Sequence, residues 1–251
     1  IEFIMCEPHQ AAFNILKNSN HKIINKALSN ERKSENLFFE TQKAECSSMK
    51  ELNIDYLKKF PKPERFKVIK KNIVETTTID HEFKLNNFPH FIKIDTEGSE
   101  LDILKGGEKT LDNVLGLVVE TSFSEFHKNQ VKFEEIKNYL EKKNIEFIDF
   151  LRLVKWERHN HRHHGQIQVA DALFLRTPDE ILARYKSKKM DISVLKNYLM
   201  ILVVYNRADY IYIMLNNLDK TEKDSLYLKE SYMIAEKSVK RIHLIERVFK
   251  F

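Results

Sequence analysis

The sequence predicts an α/β protein with a doubly wound, mostly parallel sheet over residues 1–177 and a helical extension over 178–251. Three observations predict it. The run Phe91-Ile92-Lys93-Ile94 is apolar but for one lysine, ends at Asp95, turns at Gly98 and enters a helical pattern through Leu101, Ile103 and Leu104. That is one half of a βαβ unit, and a buried parallel strand reads as such a run. Val114 to Thr121 repeats the apolar strand, with Glu120 near its end. After Pro178 almost no strand signal remains.

The chain of 251 residues is long enough for one α/β domain with an addition. Hydrophobic residues at 42% and charged residues at 31% exclude extended disorder. The net charge of +5 is spread along the chain, which argues against nucleic acid as a partner and leaves an anionic partner open. Cys6 and Cys46 read as free thiols in a reduced, cytoplasmic setting. No basic-then-apolar leader opens the chain. Ile1 is not Met and stands within a strand pattern, so the natural N-terminus is expected upstream.

In order, residues 1–6 read as a short buried strand ended by Glu7 and Pro8. Gln10 to Asn18 follows as a helix with Ala12, Phe13 and Leu16 on one face. Lys22 to Ala27 and Leu37 to Phe39 read as strands, and 40–53 as a polar loop. Asp55 to Phe60 is a short helix or turn closed by Pro61 and Pro63, and Phe66 to Val74 a strand at a sheet edge. Thr76 to Ile79 leads into a short acidic helix. Beyond the central unit, Thr110 to Asn113 reads as a turn. Phe133 to Lys143 is an amphipathic helix burying Ile136, Tyr139 and Leu140. Ile145 to Leu151 and Val169 to Arg176 close the sheet as an antiparallel pair.

The extension reads as helices over Glu180 to Lys186, Ser193 to Tyr205, Asp209 to Leu218 and within 222–251. The apolar stretch Met200 to Tyr205 is broken by Asn206, Arg207 and Asp209. A membrane span needs about 20 apolar residues, so these helices form a hairpin without a transmembrane segment. They offer a surface for homo-oligomer formation.

In open α/β sheets ligands sit beyond the carboxyl ends of the strands, which is where Asp95, Thr96 and Glu97 stand. An ordinary polar turn capping the next helix reads equally well, and Lys93 with Glu100 equally well as a structural ion pair. Glu120 occupies the matching end of the next strand, followed by Ser122, Ser124 and Glu125 as lining for an acceptor pocket. The Asp95-x-Glu97-Gly98-x-Glu100 spacing lacks the full EF-hand pattern, and no metal site is assigned. The loop His159 to His164 reads as a solvated loop, an acceptor contact or a zinc ligand set. Trp156 beside it reads as a core anchor or a stacking surface for a sugar.

The stretch Phe91 to Gly107 resembles the signature of the FkbM family of S-adenosylmethionine-dependent methyltransferases. Met5 to Pro8, Val118 to Phe123 and Ala170 to Phe174 resemble, in order, the ends of that family's second and fifth strands and its closing strand. The resemblance implies a Rossmann-like methyltransferase sheet, N-terminally incomplete here, and S-adenosylmethionine as cofactor. It implies methyl transfer to a hydroxyl of a small-molecule or glycan acceptor. Glu7, with Pro8, becomes the acid that meets the donor ribose. Asp95, Glu97 and Glu120 become the candidates around the methyl group, as base, sulfonium stabiliser or metal ligand, with Asp95 also near the donor. The family's glycine-rich turn has no counterpart, since all 5 glycines fall at Gly98 or later. Weak donor binding is therefore expected of this chain alone. A degenerate binding domain without catalysis and a nucleotide-sugar enzyme on a similar sheet are the rival readings.

Overall fold

The computed structural model describes residues 2–83, 88–158 and 165–237. Two compact units emerge: residues 1–143 with 147–174, and 144–146 with 175–251. The first is a mixed α/β unit of the Rossmann-like class. The loop 159–164, with its histidines, lies outside the described residues.

In the first unit β1 (Ile4–Cys6) pairs in parallel with β2 (Lys22–Ile24), across α1 (Gln10–Leu16). β1 is half-buried rather than buried. Along α1 the three apolar positions expected to share a face, Ala12, Phe13 and Leu16, are the half-buried ones, and the rest are exposed. The chain kinks after Ile24, so the expected strand from Lys22 to Ala27 divides, and β3 (Ala27–Leu28) joins a second sheet. That sheet continues through β4 (Lys33–Thr41), the turn α2 (Ile54–Leu57) and β5 (Val68–Thr77), in the order β3-β5-β4. β5 is thus the central strand, not an edge. Its alternation reflects one covered face, which a central strand of a small sheet shows as readily as an edge strand.

α3 (Ile79–Glu82) follows, capped by Thr78, whose Oγ1 accepts from the His81 amide at 3.1 Å. The third sheet carries the central motif. β6 (Phe91–Ile94) leads through the acidic turn into α4 (Glu100–Lys105) and α5 (Glu108–Leu111), then β7 (Gly116–Ser122), parallel to β6. α5 replaces much of the expected turn. Asp80 accepts hydrogen bonds from the amides of Lys109 and Thr110 at 3.0 and 2.8 Å and from Thr110 Oγ1 at 2.7 Å. A cap from so distant a residue leaves no local signature. α6 (Phe133–Glu141) buries Ile136 and Leu140. β8 (Ile145–Trp156) and β9 (Gln166–Arg176) complete the order β6-β7-β9-β8.

Ile103, Leu104, Leu111, Val114, Leu115, Leu117 and Val119 are almost wholly buried, so β7 and its preceding helices form the heart of the core. Gly106 ends α4 where the chain has no room. A Cβ there would stand 2.0 Å from the Ser29 carbonyl oxygen. Gly106→Ala is expected to destabilise the fold by about 1–3 kcal/mol, the cost of overpacking against backbone. Denaturant unfolding checks this, and an unchanged midpoint would show that Ser29 yields freely.

The aromatic residues Tyr56, Phe60, Phe66, Phe126 and Trp156 form a second cluster. Phe126 stacks on Trp156 with centroids 4.8 Å apart, and the Arg65 guanidinium lies 4.6 Å from the indole. Trp156 is a packing anchor, and its stacking partners come from the protein itself.

The second unit is helical: α7 (Pro178–Lys186), α8 (Ile192–Val204), α9 (Ala208–Asn217), α10 (Lys220–Ser225) and a further helical stretch from 228 to 237. Leu195, Tyr198, Leu202, Ile211 and Met214 are buried, and Tyr198 donates to the Arg176 carbonyl. Among the described residues no helix is long and apolar enough to cross a membrane.

Candidate active site

Asp95 follows the last residue of β6, and Glu120 lies in β7 beside it. Ile94 pairs with Val119 in the parallel ladder, so the next residue of each strand stands level. The two carboxyl groups lie side by side, and the contact with Asp95 is one of the influences that raise the Glu120 carboxyl. Asp171 of β9 joins the pair: one oxygen from each of Asp95, Glu120 and Asp171 lies within 4.8 Å of the others. Lys93 Nζ contacts Asp95 Oδ2 at 3.0 Å. Arg152 contacts Asp171 Oδ2 at 3.1 Å and Glu120 Oε1 at 3.7 Å.

The turn between β6 and α4 supplies two more acids. Glu97 adopts φ 55° and Gly98 φ 104°, conformations that fold the chain back sharply and that only glycine adopts without strain. Ser48 Oγ donates to the Glu97 carbonyl at 2.6 Å and holds this turn from the outside. A Cβ on Gly98 would stand 3.0 Å from Nδ1 of His127, whose two ring nitrogens have no hydrogen-bond partner among the described residues. Burial depresses that imidazole to about 4, so His127 is neutral at physiological pH. Glu100 closes the turn. Its Oε1 accepts from the Gly98 amide at 2.9 Å, the Thr96 amide at 3.2 Å and Thr96 Oγ1 at 3.1 Å.

The turn-closing carboxylate is Glu100, and among the described residues no hydrogen bond from the helix amides to Asp95 is found. Lys93 pairs with Asp95 and not with Glu100. Ser122 Oγ accepts from Gln130 Nε2 at 2.9 Å and Glu125 Oε1 from the Asn129 amide at 2.9 Å, so both support the loop after β7.

Crowding of acids in a half-buried space keeps protons on. Burial, then Glu100 and Asp95, raises the Glu97 carboxyl to about 8. Burial, then Glu97, Asp95 and Glu100, pushes Glu120 up to about 9. Burial also raises Glu100, against the donors that favour its charge. In the other direction, the hydrogen bond to Asp95 raises the Lys93 ammonium. Two protonated acids beside an acidic partner form a site able both to hold a proton and to accept one.

A model of the methyltransferase FkbM domain matches residues 1–147. The chain belongs to the FkbM methyltransferase family. No curated protein and no solved structure matches it. In this FkbM-family methyltransferase Asp95 and Glu120 stand together with Asp171, and Glu97 lies in the turn that follows Asp95. Glu7 and Pro8 do not join them through any described contact. They end β1, where the Glu7 amide donates to Ile24 O at 2.9 Å and Glu7 Oε1 accepts from the His9 amide at 2.7 Å. Asp171, Arg152 and Ser48 were not singled out as site residues from sequence. Asp171 lies in the stretch Ala170 to Phe174 and is the half-buried position between buried neighbours on both sides. For Arg152 and Ser48 no sequence signal existed, because their contacts depend on strand order and loop path.

Proposed function

We propose that this methyltransferase uses S-adenosylmethionine to methylate a hydroxyl oxygen, with a sugar or glycan as acceptor, in the cytoplasm. The observation that carries this reading is the meeting of Asp95, Glu120 and Asp171, one oxygen of each within 4.8 Å of the others, at the carboxyl side of two parallel strands. The donor set fits the group: a row of three carboxyl groups, one oxygen of which, Asp171 Oδ1, is buried with no hydrogen-bond partner among the described residues, suits a positively charged sulfonium. When bound, the donor supplies an electrophilic methyl group. Asp95 and Glu120 would orient an acceptor hydroxyl, and an ionised carboxylate of the pair would take the hydroxyl proton as the new C–O bond forms and the C–S bond breaks to leave a neutral thioether. Glu97, protonated near neutrality, acts as a hydrogen-bond donor at the same edge. Glu7 and Pro8 hold the donor's ribose end, with the Glu7 carboxylate as a bidentate acceptor.

Incubation with methyl-labelled donor and a panel of saccharides and nucleotide sugars tests the reading. Label in an ether-linked methyl group is the expected result. Donor binding with no transfer to any hydroxyl compound would instead support the degenerate, non-catalytic domain. Glu7→Ala is expected to weaken donor binding by about 1–3 kcal/mol, the scale of losing a charged hydrogen-bond acceptor. Calorimetric titration of both proteins checks it, and equal affinities would make Glu7 a solvated turn residue. We also propose 178–251 as a separable extension through which two copies pair. Limited proteolysis near Pro178 and light scattering with and without the extension test that boundary and that role.

A further inference from the structure

The four-stranded sheet lines up one charged residue from each strand. Asp95 and Glu120 stand level because Ile94 pairs with Val119. The Phe123 amide donates to Gln168 O at 2.9 Å and Thr121 Oγ1 to Ala170 O at 3.2 Å. This falling register is antiparallel and sets Glu120 level with Asp171. Arg152 completes the row from β8, which β9 separates from β7. The Arg152 and Glu120 side chains together bridge about two strand spacings, roughly 9–10 Å between β8 and β7. The planar fork of Arg152 presents Nε to Asp171 and a terminal nitrogen to Glu120 together.

The groups that face Glu120 make this contact consequential. Asp95 comes from the end of β6, Glu97 and Glu100 from the turn and α4, and Asp171 from β9. All four are acids and favour a proton on Glu120. Lys93 is paired to Asp95, and Lys43 acts on Glu97. Among the described residues Arg152 is the one cation within 4.0 Å of Glu120. Arginine keeps its charge at every working pH, so it opposes the acids throughout. It holds one oxygen of Asp171 and leaves Oδ1 with no hydrogen-bond partner among the described residues.

We propose that Arg152 is a positioning residue for the reaction: by tying Asp171 to Glu120 across the sheet it holds the carboxyl row in place and favours the ionised form of Glu120. The inference rests on the reading of Asp95 and Glu120 as the proton-handling pair. It requires neither donor nor acceptor to be tested.

The test is a pH titration of the chain labelled with carbon-13 in its carboxyl groups, followed by NMR, for the wild type, Arg152→Gln and Arg152→Lys. The Glu120 signal is identified by its loss in Glu120→Gln. Arg152→Gln is expected to move the Glu120 midpoint up by about one pH unit, the lower end of the effect of one opposite charge because the guanidinium is partly exposed. Arg152→Lys is expected to recover at least half of that shift. Melting temperature should hardly change, as for most exposed ion pairs. An unmoved midpoint in Arg152→Gln overturns the proposal. So does a shift that lysine does not reverse at all, since the charge would then not be the cause. With an acceptor in hand, the rising limb of the pH–rate profile should move with the midpoint. A limb that stays in place while the midpoint moves overturns the link to the reaction. A moved midpoint in a protein that transfers no methyl group leaves the electrostatic role standing and defeats only the functional reading.

Discussion

Asp95→Asn is expected to lower turnover by about 10²-fold or more and to leave the melting temperature nearly unchanged. The size is that of losing a general base. Asparagine keeps the shape of the side chain but cannot act as a base beside Glu120 or form an ion pair with Lys93. Stability is spared because Asp95 is 39% exposed at its side chain and packs on nothing in the core. The turn is closed by Glu100, which the substitution does not touch. Turnover and melting temperature, measured on the same preparations, separate this expectation from a structural role. Near wild-type turnover would remove Asp95 from the mechanism and move the proton-handling role to Glu97 or Glu120. A large fall in melting temperature with a proportionate fall in rate would mean that Asp95 is structural.

Glu120→Gln is expected to make the protein more stable at pH 8 than the wild type while lowering its activity. The sign follows from the raised carboxyl. In the unfolded chain this group ionises near 4.5, and in the fold near 9. Its contribution to stability is therefore complete below about 4.5 and is lost progressively as pH rises toward 9. Each pH unit within that window costs up to about 1.4 kcal/mol, so from pH 5 to pH 8 the loss is on the order of 2–4 kcal/mol. Glu97, raised to about 8, adds to the slope in the same direction. Glutamine carries no proton to lose, so the variant's stability should fall less over this range. Denaturant unfolding at pH 5, 6.5 and 8 reads it directly. Parallel stability curves for the two proteins would mean that Glu120 already ionises at low pH in the fold.

The central motif was legible because it is local. An apolar run, Asp95, a glycine that must take positive φ and the helix from Glu100 lie within a dozen residues, and each obeys a short-range rule. The same holds for β7 and for α6, whose buried positions repeat at helical spacing. Legibility failed where a contact joined distant segments. The one-turn helix α5 looked like a turn because its cap is Asp80. β5 looked like an edge because periodicity reports which face is covered, not how many neighbours a strand has. The polar loop over 40–53 carries no pattern, yet Ser48 within it holds the Glu97 carbonyl.

The sequence by itself determined the class of fold, the end of β6 before Asp95, the place of Glu120 near the end of β7, and the acidic turn between β6 and α4. Those follow from side-chain periodicity and from the backbone freedom of Gly98, properties that a residue carries with it. Only the tertiary structure decided that Asp171 and Arg152 belong to the same row, that Glu100 rather than Asp95 closes the turn, and that Glu97 and Glu120 keep their protons near neutral pH. Strand order sets which charges become neighbours, and burial sets the cost of ionising them. Neither quantity is local, so neither is written in any one stretch of the chain.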